Sequence, residues 1–118
     1  MGIHEIKLLG SNRLTYDDSA DFLDHRGGSG GTIEIFDIQV SSERRKGRGR
    51  LLIEHLLRKV SKEWGKEVRV WAITRAENII AQKFYEALQF DSIPLRRFYS
   101  SEKNVDAIMY VRSAGGPV

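Results

Sequence analysis

Arg44-Arg45-Lys46-Gly47-Arg48-Gly49-Arg50 joins two segments of different periodicity, and that junction decides the fold. Before it runs Thr32-Ile33-Glu34-Ile35-Phe36-Asp37-Ile38-Gln39-Val40, an apolar, strand-like stretch. After it, Leu52, Ile53, Leu56, Leu57 and Val60 recur at helical spacing on one stripe. A strand that enters a glycine-containing loop and then a helix aims several backbone N–H groups at one place. The positive end of the helix dipole sits there too. Gly47 and Gly49 let a ligand approach the backbone, and five basic residues within 44–50 add charge. The arrangement suits a pyrophosphate.

Two familiar nucleotide loops do not fit. The spacing Gly-x-x-x-x-Gly-Lys-Ser/Thr is absent. A dinucleotide loop needs a third glycine, and Gly47-Arg-Gly49 is followed by Arg50, Leu51 and Leu52. Taken alone, the heptapeptide also reads as a solvated basic loop or a nucleic-acid patch.

A second segment changes the balance. Val68-Arg-Val-Trp-Ala-Ile73 alternates like a strand, and Asn78-Ile-Ile-Ala81-Gln-Lys-Phe84-Tyr85-Glu-Ala-Leu88-Gln-Phe90 follows it. Ile80, Phe84, Ala87 and Leu88 share a helical stripe and are expected to pack into the core. Packing does not account for Asn78 at the helix start or Tyr85 beside Phe84. Further on, Pro94 to Tyr99 and Ala107 to Arg112 read as two strands around the polar loop Ser100–Asn104.

Arg44-x-x-Gly47-x-Gly49 and Asn-x-x-Ala-x-x-(apolar)-Tyr-x-x-Leu-x-Phe, in this order, resemble the two signatures of the GNAT superfamily of N-acyltransferases. The resemblance covers about residues 32–112. It implies an α+β fold, a mixed and mostly antiparallel sheet flanked by helices, in one domain over 1–118. Within it, 32–112 would form the CoA-binding core. It implies acetyl-CoA as co-substrate and direct attack by an amine, with no covalent enzyme intermediate. The cofactor would rest on the backbone of Ile38, Gln39 and Val40, on the loop Arg44, Arg45, Lys46, Gly47, Arg48, Gly49 and Arg50, and on Asn78, Ala81, Phe84 and Tyr85. Asn78 reads equally as a plain N-cap. Tyr85 would protonate the departing thiolate; the plainer reading makes it a packing partner of Phe84. Glu34 and Asp37 are the candidate bases. Strand alternation puts them on opposite faces, so at most one faces the thioester, and Glu34 is preferred.

This chain departs from the family pattern twice. Gln89 stands where the family has a glycine in left-handed conformation. The segment before the first signature strand is also short for the helices the family carries there. Ile3–Leu9 and Arg13–Tyr16 are expected as short strands about Gly10-Ser11-Asn12. Asp17 to His25 reads as a helical turn or loop, and Gly27–Gly31 as a mobile tether. The acceptor side would then be open, or completed by a second subunit in a homodimer.

Composition bounds the alternatives. A chain of 118 residues, 41% hydrophobic and 30% charged, is one ordinary globular domain. No apolar run approaches the roughly 18 residues of a membrane span, and the N-terminus lacks a signal-peptide layout, so no membrane partner is expected and the cytoplasm is the expected compartment. The chain has no cysteine, and its three histidines have no metal spacing, so no metal site is expected. The net charge of +3 is concentrated in 44–50, whereas a nucleic-acid binder spreads its charge over a face. The reading is an acetyl-CoA-dependent N-acetyltransferase whose amine acceptor is a peptide, a protein or a small molecule. Its rivals are a CoA-binding domain without catalysis and a small nucleic-acid-binding module.

Overall fold

The computed structural model describes residues 2–16, 21–40, 47–99 and 105–116. Arg44, Arg45, Lys46 and the loop Ser100–Asn104 lie outside these. The described strands are β1 (Ile3–Leu8), β2 (Ser11–Tyr16), β3 (Phe22–Gly27), β4 (Ile33–Gln39), β5 (Arg69–Arg75), β6 (Asp91–Tyr99) and β7 (Val105–Ser113). The helices are α1 (Arg48–Glu63) and α2 (Ile79–Ala87). The strands form one sheet in the order β1-β2-β3-β4-β5-β7-β6. Every pairing is antiparallel except β4 with β5. The expected mixed α+β architecture is the one observed.

Both helices cover the same face. The α1 stripe Leu52, Ile53, Leu56, Leu57 and Val60 is buried as its spacing predicts. It packs with Leu14, Leu23, Ile35, Val70, Ala72 and Tyr110 of the strands, and Tyr85 and Leu88 extend the same cluster from the α2 side. Among the described residues no helix covers the opposite face, which carries charged residues among its apolar ones.

Three local expectations fail, each for a non-local reason. Residues 22–25 are not a turn: they begin β3, which pairs with β2 and β4 on either side. Gly27–Gly31 is not a free tether. Its 3-10 turn at Ser29–Gly31 is closed by Gly28 N–H donating to Thr32 O at 2.8 Å, and the Trp71 indole donates to Thr32 Oγ1 at 2.9 Å. The α2 stripe is turned by one residue. Tyr85 and Leu88 are buried with Ala81 half-buried, whereas Ile80 is 84% exposed and Ala87 is exposed too.

Gln89 keeps the geometry a glycine would have. Its φ is +67°, and Phe90 N–H donates to Tyr85 O at 3.1 Å, closing the helix end. Arg112 adds a donor there, reaching Leu88 O at 2.8 Å. Left-handed backbone costs a side-chain-bearing residue about 1 kcal/mol. Gln89→Gly should therefore raise Tm by about 4 °C in a scanning-calorimetry trace. A lowered Tm would show that the side chain contributes more than the strain.

Candidate functional site

The site begins with what α1 lacks at its start. Gly47 has φ +82°, a turn that a residue with a Cβ resists, and the first helical hydrogen bond runs from Leu51 N–H to Gly47 O at 2.9 Å. The N–H groups of Gly49 and Arg50 therefore have no partner within the helix. The first turn has no acidic residue and no side-chain cap. The positive end of this sixteen-residue helix, with the N–H groups of Gly49 and Arg50, suits an anion.

Beside it lies a cavity of about 430 Å³ between the end of β4, the start of α1 and α2. Ile38, Val40, Gly47, Gly49, Arg50, Asn78, Ala81, Phe84 and Tyr85, all named from the sequence, line it together. Gly49 matters for space: a Cβ there would stand 3.1 Å from the Phe84 ring. Asn78 caps α2 by accepting from Ala81 N–H at 3.0 Å, and it also lines the cavity. Ile80 lines the cavity as well, whereas its helical spacing predicts a core position. An apolar residue one position off the buried stripe was the available signal.

A second cavity, of about 250 Å³, opens where β4 and β5 part. Their parallel pairing is confined to Ile33↔Val70 and Glu34↔Trp71. Beyond that point the facing backbone edges separate. Ile38, Asn78, Ala81 and Tyr85 border both cavities, so the two adjoin. The slot is bordered by Ile38 and Thr74 from the helix-covered side of the sheet and by Asp37 and Ile73 from the bare side. Thr74 Oγ1 is buried with no hydrogen-bond partner.

Tyr85 stands where the cavities meet. It is 3% exposed, stacked on Tyr110 at 5.3 Å and edge-on to Phe84 and Phe90 at 5.2 Å each. Burial pushes its phenol well above the ordinary tyrosine value.

The two candidate carboxylates are not on opposite faces. Between Asp24↔Asp37 and His25↔Ile35 the register skips Phe36, a β-bulge. One extra residue reverses the alternation, so Glu34 and Asp37 both point to the bare face, opposite Arg26 and Asp24. Their surroundings differ. Glu34 is tied to Arg26 at 2.9 Å and does not border the slot; Asp37 does. Asp24, 5% exposed, is gripped by Arg13 through two contacts of 2.7 and 3.0 Å.

Two expected cofactor contacts stand apart. Gln39 is exposed and borders neither cavity. The Arg48 guanidinium is drawn to buried Asp21 at 3.4 Å and lies 4.2 Å over the Tyr16 ring, and Arg48 borders neither cavity. Among the described residues no cluster of three His, Cys, Asp or Glu side chains could hold a metal. No described helix is long and apolar enough to cross a membrane.

Comparison with known proteins gives the family and the fold. A [Ribosomal protein bS18]-alanine N-acetyltransferase from Salmonella typhimurium is 36% identical over 78 residues, 64% of this chain and 51% of that protein. The chain thus spans about half the length of the curated relatives it matches. The crystal structure of the ribosomal-protein-S18-alanine N-acetyltransferase from Escherichia coli superposes with a TM-score of 0.69 at 25% identity, covering 100% of this chain and 74% of that one. A GNAT-family acetyltransferase from Desulfovibrio desulfuricans shares the fold with a TM-score of 0.76 at 24% identity, over 89% of this chain and 70% of that one. Residues 4–90 match the acetyltransferase (GNAT) family, and the chain belongs to it.

Proposed function

We propose that the protein transfers an acetyl group from acetyl-CoA to a primary amine. The observation that carries this reading is the pair of adjoining cavities, one at the N-terminus of α1 and one in a slot between parted strands. The residues fit the cofactor. The N–H groups of Gly49 and Arg50 at the positive end of α1 suit its pyrophosphate, and the parted edge of β4 with orphaned Thr74 Oγ1 suits its amide-bearing arm. When bound, acetyl-CoA supplies an acyl group activated as a thioester.

The chain's own groups then have separate tasks. The α1 N-terminus and Gly49 seat the phosphates; Ile38 and Val40 align the arm along β4. Asp37 takes a proton from the incoming ammonium, directly or through one water, so that a neutral amine attacks. Tyr85 delivers a proton to the departing sulfur. The preference for Asp37 over Glu34 rests on their partners: Glu34 is held by Arg26, and Asp37 borders the slot.

The amine enters from the bare face. No described helix walls that side, so a peptide end or protein loop fits better than a small metabolite, which needs enclosure. The curated relatives' names point the same way, to an alanine of ribosomal protein bS18. Ribosomal protein bS18 is the acceptor to test first, within a panel of peptide and small amines monitored by thiol release.

The cofactor half has its own test. Gly47→Val with Gly49→Val should weaken acetyl-CoA binding at least about tenfold by calorimetry, through strain at 47 and crowding at 49. Unchanged affinity in a variant with wild-type circular dichroism would remove the anion site from the reading.

A further inference from the structure

β1 ends the sheet: among the described residues it pairs with β2 alone. At the other end, β6 carries Pro94 and a register shift between Leu95 and Tyr99, two devices that discourage further pairing. β1 has neither. Its register with β2 is unbroken over all six residues, and Ile6, Leu8 and Leu9 beside the edge are 44%, 39% and 104% exposed. Regular, unblocked edges recruit strands. We infer that β1 pairs antiparallel with β1 of a second copy, centred on Ile6, joining two sheets into one.

The hairpin dictates which registers are open. Leu9 and Gly10 form a two-residue turn, so the closing pair Leu8↔Ser11 exchanges both backbone hydrogen bonds, as does Ile6↔Arg13 two residues on. The N–H and C=O groups of Ile3, Glu5 and Lys7 therefore face the open edge. A second β1 must match these residues with one another. Centring on Glu5 sets two glutamates face to face, and centring on Lys7 does the same with two lysines; like charges directly opposite oppose pairing. Centring on His4 leaves Lys7 without a strand partner. Centring on Ile6 sets Glu5 against Lys7 twice, with Ile6 against its own copy.

The side chains are prepared for that register. Glu5 already meets Lys59 of α1 at 3.2 Å, and Lys59 meets Glu63 at 3.0 Å. Lys7 has no ion pair among the described residues. The second copy supplies one and lengthens the row of alternating charges. Because two strands separate β1 from β4, the dimer leaves the acetyl-transfer site uncovered.

Sedimentation of the full chain from about 1 to 300 µM tests this, since a single strand pair makes a small, concentration-dependent interface. The expected result is reversible conversion of a 13.5 kDa monomer to a species of twice that mass. Lys7→Glu and Glu5→Lys should each raise the dissociation constant at least about tenfold, with acetyl-transfer rate unchanged. An equimolar mixture of the two variants should dimerise again, because each then presents the opposite charge to its partner. If Glu5→Lys does not fold, Lys7→Pro replaces it. That change removes an outward N–H, spares the ladder to β2 and should leave a monomer. A wild-type monomer throughout the range, or a dimer that Lys7→Glu leaves intact, overturns the inference. Two folded charge variants that fail to pair when mixed overturn the register.

Discussion

Tyr85→Phe should lower kcat about 100-fold and leave acetyl-CoA affinity within about twofold. The exchange preserves the ring that stacks on Tyr110 and meets Phe84 and Phe90, so the core stays filled and the change isolates one hydroxyl. A departing thiolate requires a proton, and a phenol of ordinary pKa about 10 is close to it in basicity. Burial shifts Tyr85 upward, which has two effects of opposite sign. The phenol stays protonated across the working range, so no loss of rate as pH rises is assigned to it. It is also a more reluctant donor than in water, which keeps its contribution at the lower end of the usual 10²–10⁴-fold for general acids. Rates of the two forms are to be compared from about pH 6 to 10. Wild-type turnover in the Phe form at every pH would leave Tyr85 a packing residue only.

Asp37→Asn should cost about 100- to 1000-fold in kcat/KM, whereas Glu34→Gln should cost less than about threefold. The two carboxylates share a strand and a face, so location on β4 does not separate them; their partners do. Glu34 is neutralised by Arg26, whose guanidinium also lies 4.3 Å over the Phe36 ring. Losing that exposed pair removes little. Asp37 faces Asp24 across the strands, and Arg13 already claims the Asp24 oxygens. That leaves Asp37 as the carboxylate bordering the slot. Asn at 37 keeps the shape and loses the proton acceptor, so its deficit should shrink as pH rises and the amine arrives neutral. Damage confined to Glu34→Gln would reverse the assignment.

Local signals were read well. The α1 stripe from Leu52 to Val60 follows from spacing, the turn at Gly47 from its glycine, and the Asn78 cap from a side chain three residues from its donor. What escaped depends on partners distant in the chain. The bulge at Phe36 exists only through pairing with β3, so simple alternation misassigned the faces of Glu34 and Asp37. Gly27–Gly31 has the composition of a tether, yet Trp71, 39 residues from Thr32, helps hold it. Arg48 sits in a basic run that invites a phosphate, but Asp21 is 27 residues earlier and buried beside it. On α2, two apolar stripes competed, and contact with Tyr110 selected the one through Tyr85.

A sheet with helices on one face divides the labour of inheritance. Residues such as Leu14, Leu23, Ile35 and Val70 are locked in the core beneath α1, and most changes there threaten folding. On the reverse side of the same strands, Arg26, Phe36 and Asp37 border solvent. A substitution on that side alters what the surface recognises without disturbing what the helices hold. A lineage built on this plan can change its clients one residue at a time while its core and its helix-side cleft stay the same.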